Sequence, residues 1–262
     1  TRLLGPRVRT HVRSVYALVR VADEIVDGAA AVKGVSAQEQ RDLLDAFEAE
    51  TNAAVERRFS TDLVIHAFAL AAVECGIGAD LTRPFFASMR ADLEVAEHDG
   101  ASLESYIYGS AEVVGLMCLE VFMDMPGTRA DTPEQRDMLR ATARRLGAAF
   151  QKVNFLRDLG ADHDQLGRTY FPGADPAHLD ETQKAQLLAD LNADLDAAMP
   201  GILALDRRAR RAVLIAHGLF AELSRRIERV PAGELTRQRI SVPTAVKLRI
   251  AARSLSNTEV TA

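Results

Sequence analysis

The sequence has no tryptophan, only 5% aromatic residues, two cysteines in 262 positions and no excess of positive charge. Cys75 and Cys118 are too few for a disulfide framework or a thiolate metal cage, which points to a reducing compartment and makes the cytoplasm the expected location. With 32 Lys and Arg against 37 Asp and Glu, a net charge of -5 and a pI near 5.7, nothing neutralises a phosphate backbone overall, so no nucleic-acid partner is expected. The longest apolar runs, Leu63 to Val73 and Val113 to Met123, are interrupted by His66 and Glu120. Both fall short of the roughly 20 residues that span a bilayer, so no membrane-crossing helix is expected. Thr1 to Arg9 offers neither an apolar signal core nor a cleavage site, and without a starting Met what precedes Thr1 stays open.

Against these absences stands a hydrophobic content of 48%, ample for a large buried core. Nearly every segment between turn signals is rich in Ala, Leu, Arg and Glu, with apolar residues recurring every three or four positions. That period predicts helices over Arg7–Gly28, Ser36–Arg57, Thr61–Cys75, Leu81–Glu97, Ser102–Met123, Pro133–Leu159, Asp180–Ala198, Ile202–Glu228 and Pro243–Ser254, with ends set to about two to four residues. Starts and stops agree: Ser36 precedes Glu39 and Ser102 precedes Ser105, Pro133 and Pro243 suit a first turn, and Gly28 and Gly160 follow ends. The expected fold class is all-α, one domain over residues 1–262, because no repeat and no long biased linker divides the chain. One polar stretch around Tyr170 and Phe171, Gly160 to His178, is expected to be a functional loop.

Two segments concentrate acid on one helical face. Tyr16, Arg20, Asp23 and Asp27 follow one another at intervals of four, three and four, and Gln151, Asn154, Asp158 and Asp162 repeat the layout, with Asp164 just beyond. Each stripe alone reads equally well as the solvated side of an amphipathic helix. Like charges one turn apart nevertheless repel unless a cation compensates. An all-oxygen ligand set with amide neighbours suits Mg²⁺, with Mn²⁺ as a substitute, held by one or two carboxylates together with waters and phosphate oxygens. A diphosphate is the natural third party, and Arg20, Arg157 and Arg168 lie near enough in sequence to grip it through charge-assisted hydrogen bonds.

At these residues the chain resembles the squalene/phytoene synthase family, from Arg2 to about Leu248. Four stretches carry the likeness: Val15 to Asp27; Tyr106-Ile-Tyr108-Gly-Ser-Ala-Glu-Val-Val-Gly115; Gln151 to Pro172, ending in Gly167-Arg168-Thr-Tyr170-Phe-Pro172; and Arg239-Ile-Ser-Val-Pro-Thr-Ala-Val-Lys247. The resemblance implies an isoprenoid-synthase helical bundle around a central cavity. It implies that Asp23 and Asp27, with Asp158 and Asp162, bind Mg²⁺ and through it two diphosphates. Arg20, Gln151, Asn154 and Arg157 would line the same cavity, Arg239 and Lys247 would approach a diphosphate, and Tyr108 would face the reaction centre. Departures are Glu24 for a frequent second Asp of the first motif and Glu112 where many members have Gly.

The activity so implied is head-to-head joining of two prenyl diphosphates, read as two geranylgeranyl diphosphates giving phytoene through a cyclopropylcarbinyl diphosphate. NADPH is not expected for that product. Squalene, dehydrosqualene or presqualene diphosphate from farnesyl diphosphate is the alternative product. A non-catalytic helical assembly factor is the alternative of another class, though it would have no reason to retain four acidic ligands. A di-iron bundle would need a repeated Glu-x-x-His pair, which Glu94, Glu97 and His98 do not form. Oily substrate and product make peripheral membrane contact an expectation. Arg207 to Arg211, four arginines in five positions, reads most simply as an exposed helix face, with anionic lipid or nucleic acid as the other reading.

Overall fold

A computed structural model describes residues 3–28, 30, 33–94, 98–166, 171 and 178–256. The described residues are predominantly helical and contain no strand, as the period of the sequence leads one to expect. Helix α1 spans Pro6–Val26, α2 Ala37–Arg57, α3 Leu63–Cys75 and α4 Ala79–Glu94. Helix α5, Gly100–Ile107, passes through a π-helical turn, Tyr108–Glu112, directly into α6, Val113–Met123. Helix α7 is the longest, Pro133–Leu166, followed by α8, Glu181–Ala204, α9, Arg207–Glu228, and α10, Thr244–Ser256.

Side-chain caps set several boundaries. Ser36 and Glu39 form a reciprocal capping box at α2, Asp180 and Gln183 another at α8, and Asp62 accepts from the Val64 and Ile65 amides at 2.8 and 2.9 Å to start α3. Gly76 ends α3 at a φ of 73°, a left-handed conformation that costs other residues more.

Three boundaries differ from the sequence expectation. Helix α5 starts earlier, because Asp99 rather than Ser102 is the cap, its carboxylate accepting from the Ser102 amide at 2.8 Å. Gly160 does not end α7, which continues to Leu166; a glycine inside a helix costs only about 1 kcal/mol relative to Ala. Nor does Pro200 break α8, because Ala198 and Ile202 are buried on either side and Gly201 lies so close to α7 that a Cβ there would stand 1.8 Å from Thr142 Oγ1. The break comes at Leu205, where Asp206 caps α9.

The π turn makes α5 and α6 one continuous helical run, Gly100–Met123, which by length and composition alone is long and apolar enough to cross a bilayer. This corrects the expectation from the two shorter runs. The run is 56% buried inside the molecule and packs against α1, α4 and α7, so it serves as a central core strut. One apolar cluster, with Leu18, Phe68, Phe85, Phe86 and Met117 at its centre, joins α1, α3, α4 and α6. A second, around Phe155, Leu156, Leu191 and Ile227, joins α7, α8 and α9. Asp194, buried between α8 and α7, is neutralised by Arg145 at 2.8 Å and Lys152 at 2.6 Å.

Between the two clusters the π turn and α7 approach closely. A Cβ on Gly147 would stand 2.6 Å from the Ala111 carbonyl oxygen, and one on Gly115 would stand 2.9 Å from that of Ala143. Only hydrogen fits at these points, and the contact fixes the inner wall of the site.

Candidate active site

Two cavities adjoin at this wall. The first, of about 450 Å³, is lined by Arg20, Asp23, Asp27 and Gly28 from α1 and its end, Met89 and Asp92 from α4, Tyr106 from α5, and Asn154, Phe155, Arg157 and Asp158 from α7. The second, of about 420 Å³, is almost entirely apolar, with Val12, Val114, Leu119, Phe122, Leu146, Phe150 and Val213 among its walls. Val19, Ser110 and Gln151 line both and form a collar between them. The collar residues come from α1, the π turn and α7, so the close approach of the last two sets its width.

The first cavity holds unbalanced electrostatics. Burial pushes the Asp23 carboxyl up to about 6; Arg20 pulls it down, while Asp27 and Glu24 push it further up. Arg20 divides its charge between Glu24, its near partner, and Asp23 at 3.9 Å. On the α7 side two cations converge on one acid: Arg157 Nε donates to both Asp158 oxygens at 3.1 Å, and Arg239, 81 residues away, reaches Asp158 Oδ1 at 2.7 Å. Asn154 Oδ1 and Ser110 Oγ are buried and have no hydrogen-bond partner among the described residues. Buried polar atoms are nearly always paired, so these two leave room for a partner from outside the described residues.

These residues fit a hard divalent cation and a polyanion. The donors are oxygens, Asn154 offers an unused carbonyl oxygen, and Asp23 is charged only against the penalty of its surroundings. Among the described residues no three acidic, His or Cys side chains already converge on one point.

The expected site residues separate into groups. Asp23, Asp27, Arg20, Gln151, Asn154, Arg157 and Asp158 line the acidic cavity together, and Arg239 joins them through Asp158. Lys247 is exposed on α10 and lines neither cavity. The Asp162 side chain and Arg168 lie outside the described residues, as does most of the expected Gly160 to His178 loop. Tyr108, expected to face the reaction centre, lines neither cavity; its ring lies under the Arg144 guanidinium, 5.1 Å from the centroid, and Arg144 is held by Glu112 at 2.6 Å. Tyr106 faces the cavity instead, its hydroxyl donating to Asp92 at 2.6 Å.

Sequence reasoning missed both Tyr106 and Asp92. A signal existed for Tyr106, since residues two apart on a helix point about 200° apart and Tyr106 shares a face with Ser110 at i+4. Asp92, one acid in a mixed run between Arg90 and Glu94, carries no such signal.

The profile of the squalene/phytoene synthase family matches residues 1–245. The chain is similar to phytoene synthase 3, chloroplastic, of Zea mays, with 30% identity over 66% of this chain and 38% of that protein. It is similar to the 4,4'-diapophytoene synthase of Staphylococcus haemolyticus, with 29% identity over 66% of this chain and 55% of that protein. The match thus spans from under four tenths to just over half of these relatives' own length. Among solved structures a dehydrosqualene synthase shares the fold with a TM-score of 0.78 and 21% identity, covering 98% of this chain and 89% of the other. The squalene synthase HpnC from Alicyclobacillus acidocaldarius shares it with a TM-score of 0.62 and 18% identity, covering 97% of this chain and 86% of the other. Cavity, fold and profile agree: the chain belongs to the squalene/phytoene synthase family, enzymes that condense prenyl diphosphates head to head.

Proposed function

We propose that this chain condenses two geranylgeranyl diphosphates to phytoene in a Mg²⁺-dependent reaction. The observation that carries the reading is the pairing of an acidic cavity with an apolar one across the Val19, Ser110 and Gln151 collar. A prenyl diphosphate has the same division, a charged head and an oily tail of comparable size to such a cavity.

Asp23, Asp27 and Asp158, which line the acidic cavity, together with Asp162 are the residues that would hold Mg²⁺. When bound, the ion supplies Lewis-acid neutralisation of the departing diphosphate. Arg20, Arg157 and Arg239, with Arg168, would hold the anion by charge-assisted hydrogen bonds; Lys247, which lines neither cavity, is left out of the set. Gln151 at the collar and Asn154 in the acidic cavity orient the head group. The carbon–oxygen bond of one donor breaks with its electron pair leaving on the diphosphate, the alkene of the second donor adds to the allylic cation, and loss of a proton closes the cyclopropane; the carbon–oxygen bond of the resulting cyclopropylcarbinyl diphosphate then breaks and releases the second diphosphate. Phenylalanine and aliphatic walls keep water from that cation. We assign the aromatic ring nearest the reacting carbons to Tyr106 rather than Tyr108, because Tyr106 lines the cavity and its hydroxyl is oriented by Asp92. A second proton leaves the rearranged cation at the end, so NADPH is not required for phytoene.

A farnesyl-using reading, giving dehydrosqualene, squalene or presqualene diphosphate, is supported by the near-equal identity to the diapophytoene and phytoene synthases, 29% and 30%. Purified chain supplied with Mg²⁺ and either geranylgeranyl or farnesyl diphosphate, with and without NADPH, separates the products by chromatography. Phytoene from the longer donor without NADPH is the expected result. No product from either donor by a folded protein would favour the non-catalytic assembly factor and overturn the proposal.

A further inference from the structure

The hydroxyl of Ser110 has no use within the free protein. Helical hydroxyls elsewhere in the chain fold back onto the carbonyl four residues earlier, as Thr10, Ser14, Thr51, Thr142 and Ser254 do at 2.7 to 3.0 Å. Ser110 makes no such bond. It sits at the middle of the π turn Tyr108–Glu112, where the ladder widens and the Val113 amide reaches back five residues to the Tyr108 carbonyl. The carbonyl four residues before Ser110, that of Tyr106, accepts from Ser88 Oγ of α4 at 3.2 Å. Gly109 permits that approach, since a Cβ there would collide with the Ser88 hydroxyl and the Pro84 carbonyl. Ser110 Oγ is left buried, and no hydrogen bond holds it in one staggered rotamer.

A buried hydroxyl without a partner lowers stability, and a ligand that accepts its hydrogen restores the loss. Ser110 lines both the acidic and the apolar cavity. On the proposed condensation, on which this inference rests, the head group fills the first and the tail the second. The bond that joins them, from the first carbon to the bridging oxygen, then lies at the collar. Val19 brings only carbon to that level and Gln151 an amide, so Ser110 supplies the one hydroxyl among the described collar residues.

We propose that Ser110 is a catalytic residue whose hydroxyl donates a hydrogen bond to the bridging oxygen of the first diphosphate to depart. The carbon–oxygen bond breaks with its electron pair staying on that oxygen; Ser110 keeps its proton and stabilises the growing negative charge. Because the bond strengthens as charge develops, it acts on kcat more than on KM. Rotation about the Cα–Cβ bond brings the hydroxyl to the head group. Before that rotation the oxygen is shielded from solvent and carries no water to the collar, where water would capture the cation.

The test compares variants with and without the hydroxyl in the full chain, with Mg²⁺ and whichever of geranylgeranyl and farnesyl diphosphate the parent turns over faster. Ser110→Ala should lower kcat by about 10- to 100-fold, the change expected of one hydrogen bond to a charged group, with KM within about threefold. Ser110→Thr keeps the hydroxyl and should exceed its isostere Ser110→Val in kcat by a similar factor, whatever the added methyl does to the collar. Melting temperature without ligand is the second readout. Ser110→Ala should equal or exceed the parent there, because the hydroxyl it removes has no partner to lose. Unchanged kcat in Ser110→Ala, equal kcat in Ser110→Thr and Ser110→Val, or a Ser110→Ala protein that melts below the parent would each overturn this role while leaving the condensation standing. A folded parent that makes no product would overturn both.

Discussion

Single atoms decide the chemistry of this site. Tyr106 and Tyr108 are two positions apart, yet one meets Asp92 in the acidic cavity and the other stacks under Arg144. Tyr106→Phe, which removes only the hydroxyl, should lower kcat by about 10- to 100-fold. Tyr108→Phe should stay within about twofold, both read by steady-state product formation. Asp158→Ala should abolish turnover while leaving the helical circular dichroism intact; normal turnover would remove Asp158 from the site. The Asp23 carboxyl, raised to about 6, favours the protonated native state between the ordinary value of 3.8 and that point. Stability of the metal-free protein should therefore fall as pH rises through that window. Because 41% of the side chain is exposed, solvent screens the effect to about 1 kcal/mol or less. Asp23→Asn should accordingly raise the melting temperature at pH 7 and leave it nearly unchanged at pH 4, as thermal scans at the two values would read. The acidic stripes were legible in the sequence because they follow helical spacing. That Tyr106 and Tyr108 point to opposite sides was legible too, but which of them lines the cavity was not, because it depends on the phase of one helix relative to another.

Helices meet at fixed clearances, and those clearances explain which boundaries could be read in advance. Ser36 with Glu39 and Asp180 with Gln183 announce helix starts through local hydrogen bonds, so their sequences suffice. Pro200 and Gly160 look like stops, but α8 and α7 run through them, α8 because its flanking residues are buried against other helices. Propensity yields there to packing. The widened turn Tyr108–Glu112 leaves no mark in composition at all. Gly147 is the sharpest test at this scale. A Cβ would stand 2.6 Å from the Ala111 carbonyl oxygen, so Gly147→Ala must push the turn and α7 apart. The expected cost is about 1 to 3 kcal/mol in urea unfolding, with a rise in KM as the collar opens. An alanine variant as stable as the parent would show that the contact has room.

Across the whole molecule, the acidic and apolar cavities bring together helices far apart in the chain, and this the sequence could not convey. The motifs pointed to residues that gather at the acidic cavity, whereas the depth and walls of the apolar cavity depend on Leu4, Leu139, Ile202 and Val213, which sequence spacing does not connect. Cys118 reports on that space. It lines the apolar cavity, and burial pushes its thiol up to about 11, so little thiolate exists at pH 8. Alkylation by a maleimide should be slow there and accelerate as pH rises toward 10. An unreactive prenyl diphosphate analogue should protect Cys118 severalfold and leave Cys75 unprotected, as peptide mass spectrometry would read.

The π turn carries a last consequence, for how such chains drift in length. A five-residue loop of backbone inside an otherwise regular rod is slack, able to take up or give back one amino acid without turning either end. Lose a residue from that slack and Tyr106 and Met117 keep their bearings. Lose one from the rod on either side and everything beyond it swings by about 100°, carrying the wrong side chains inward.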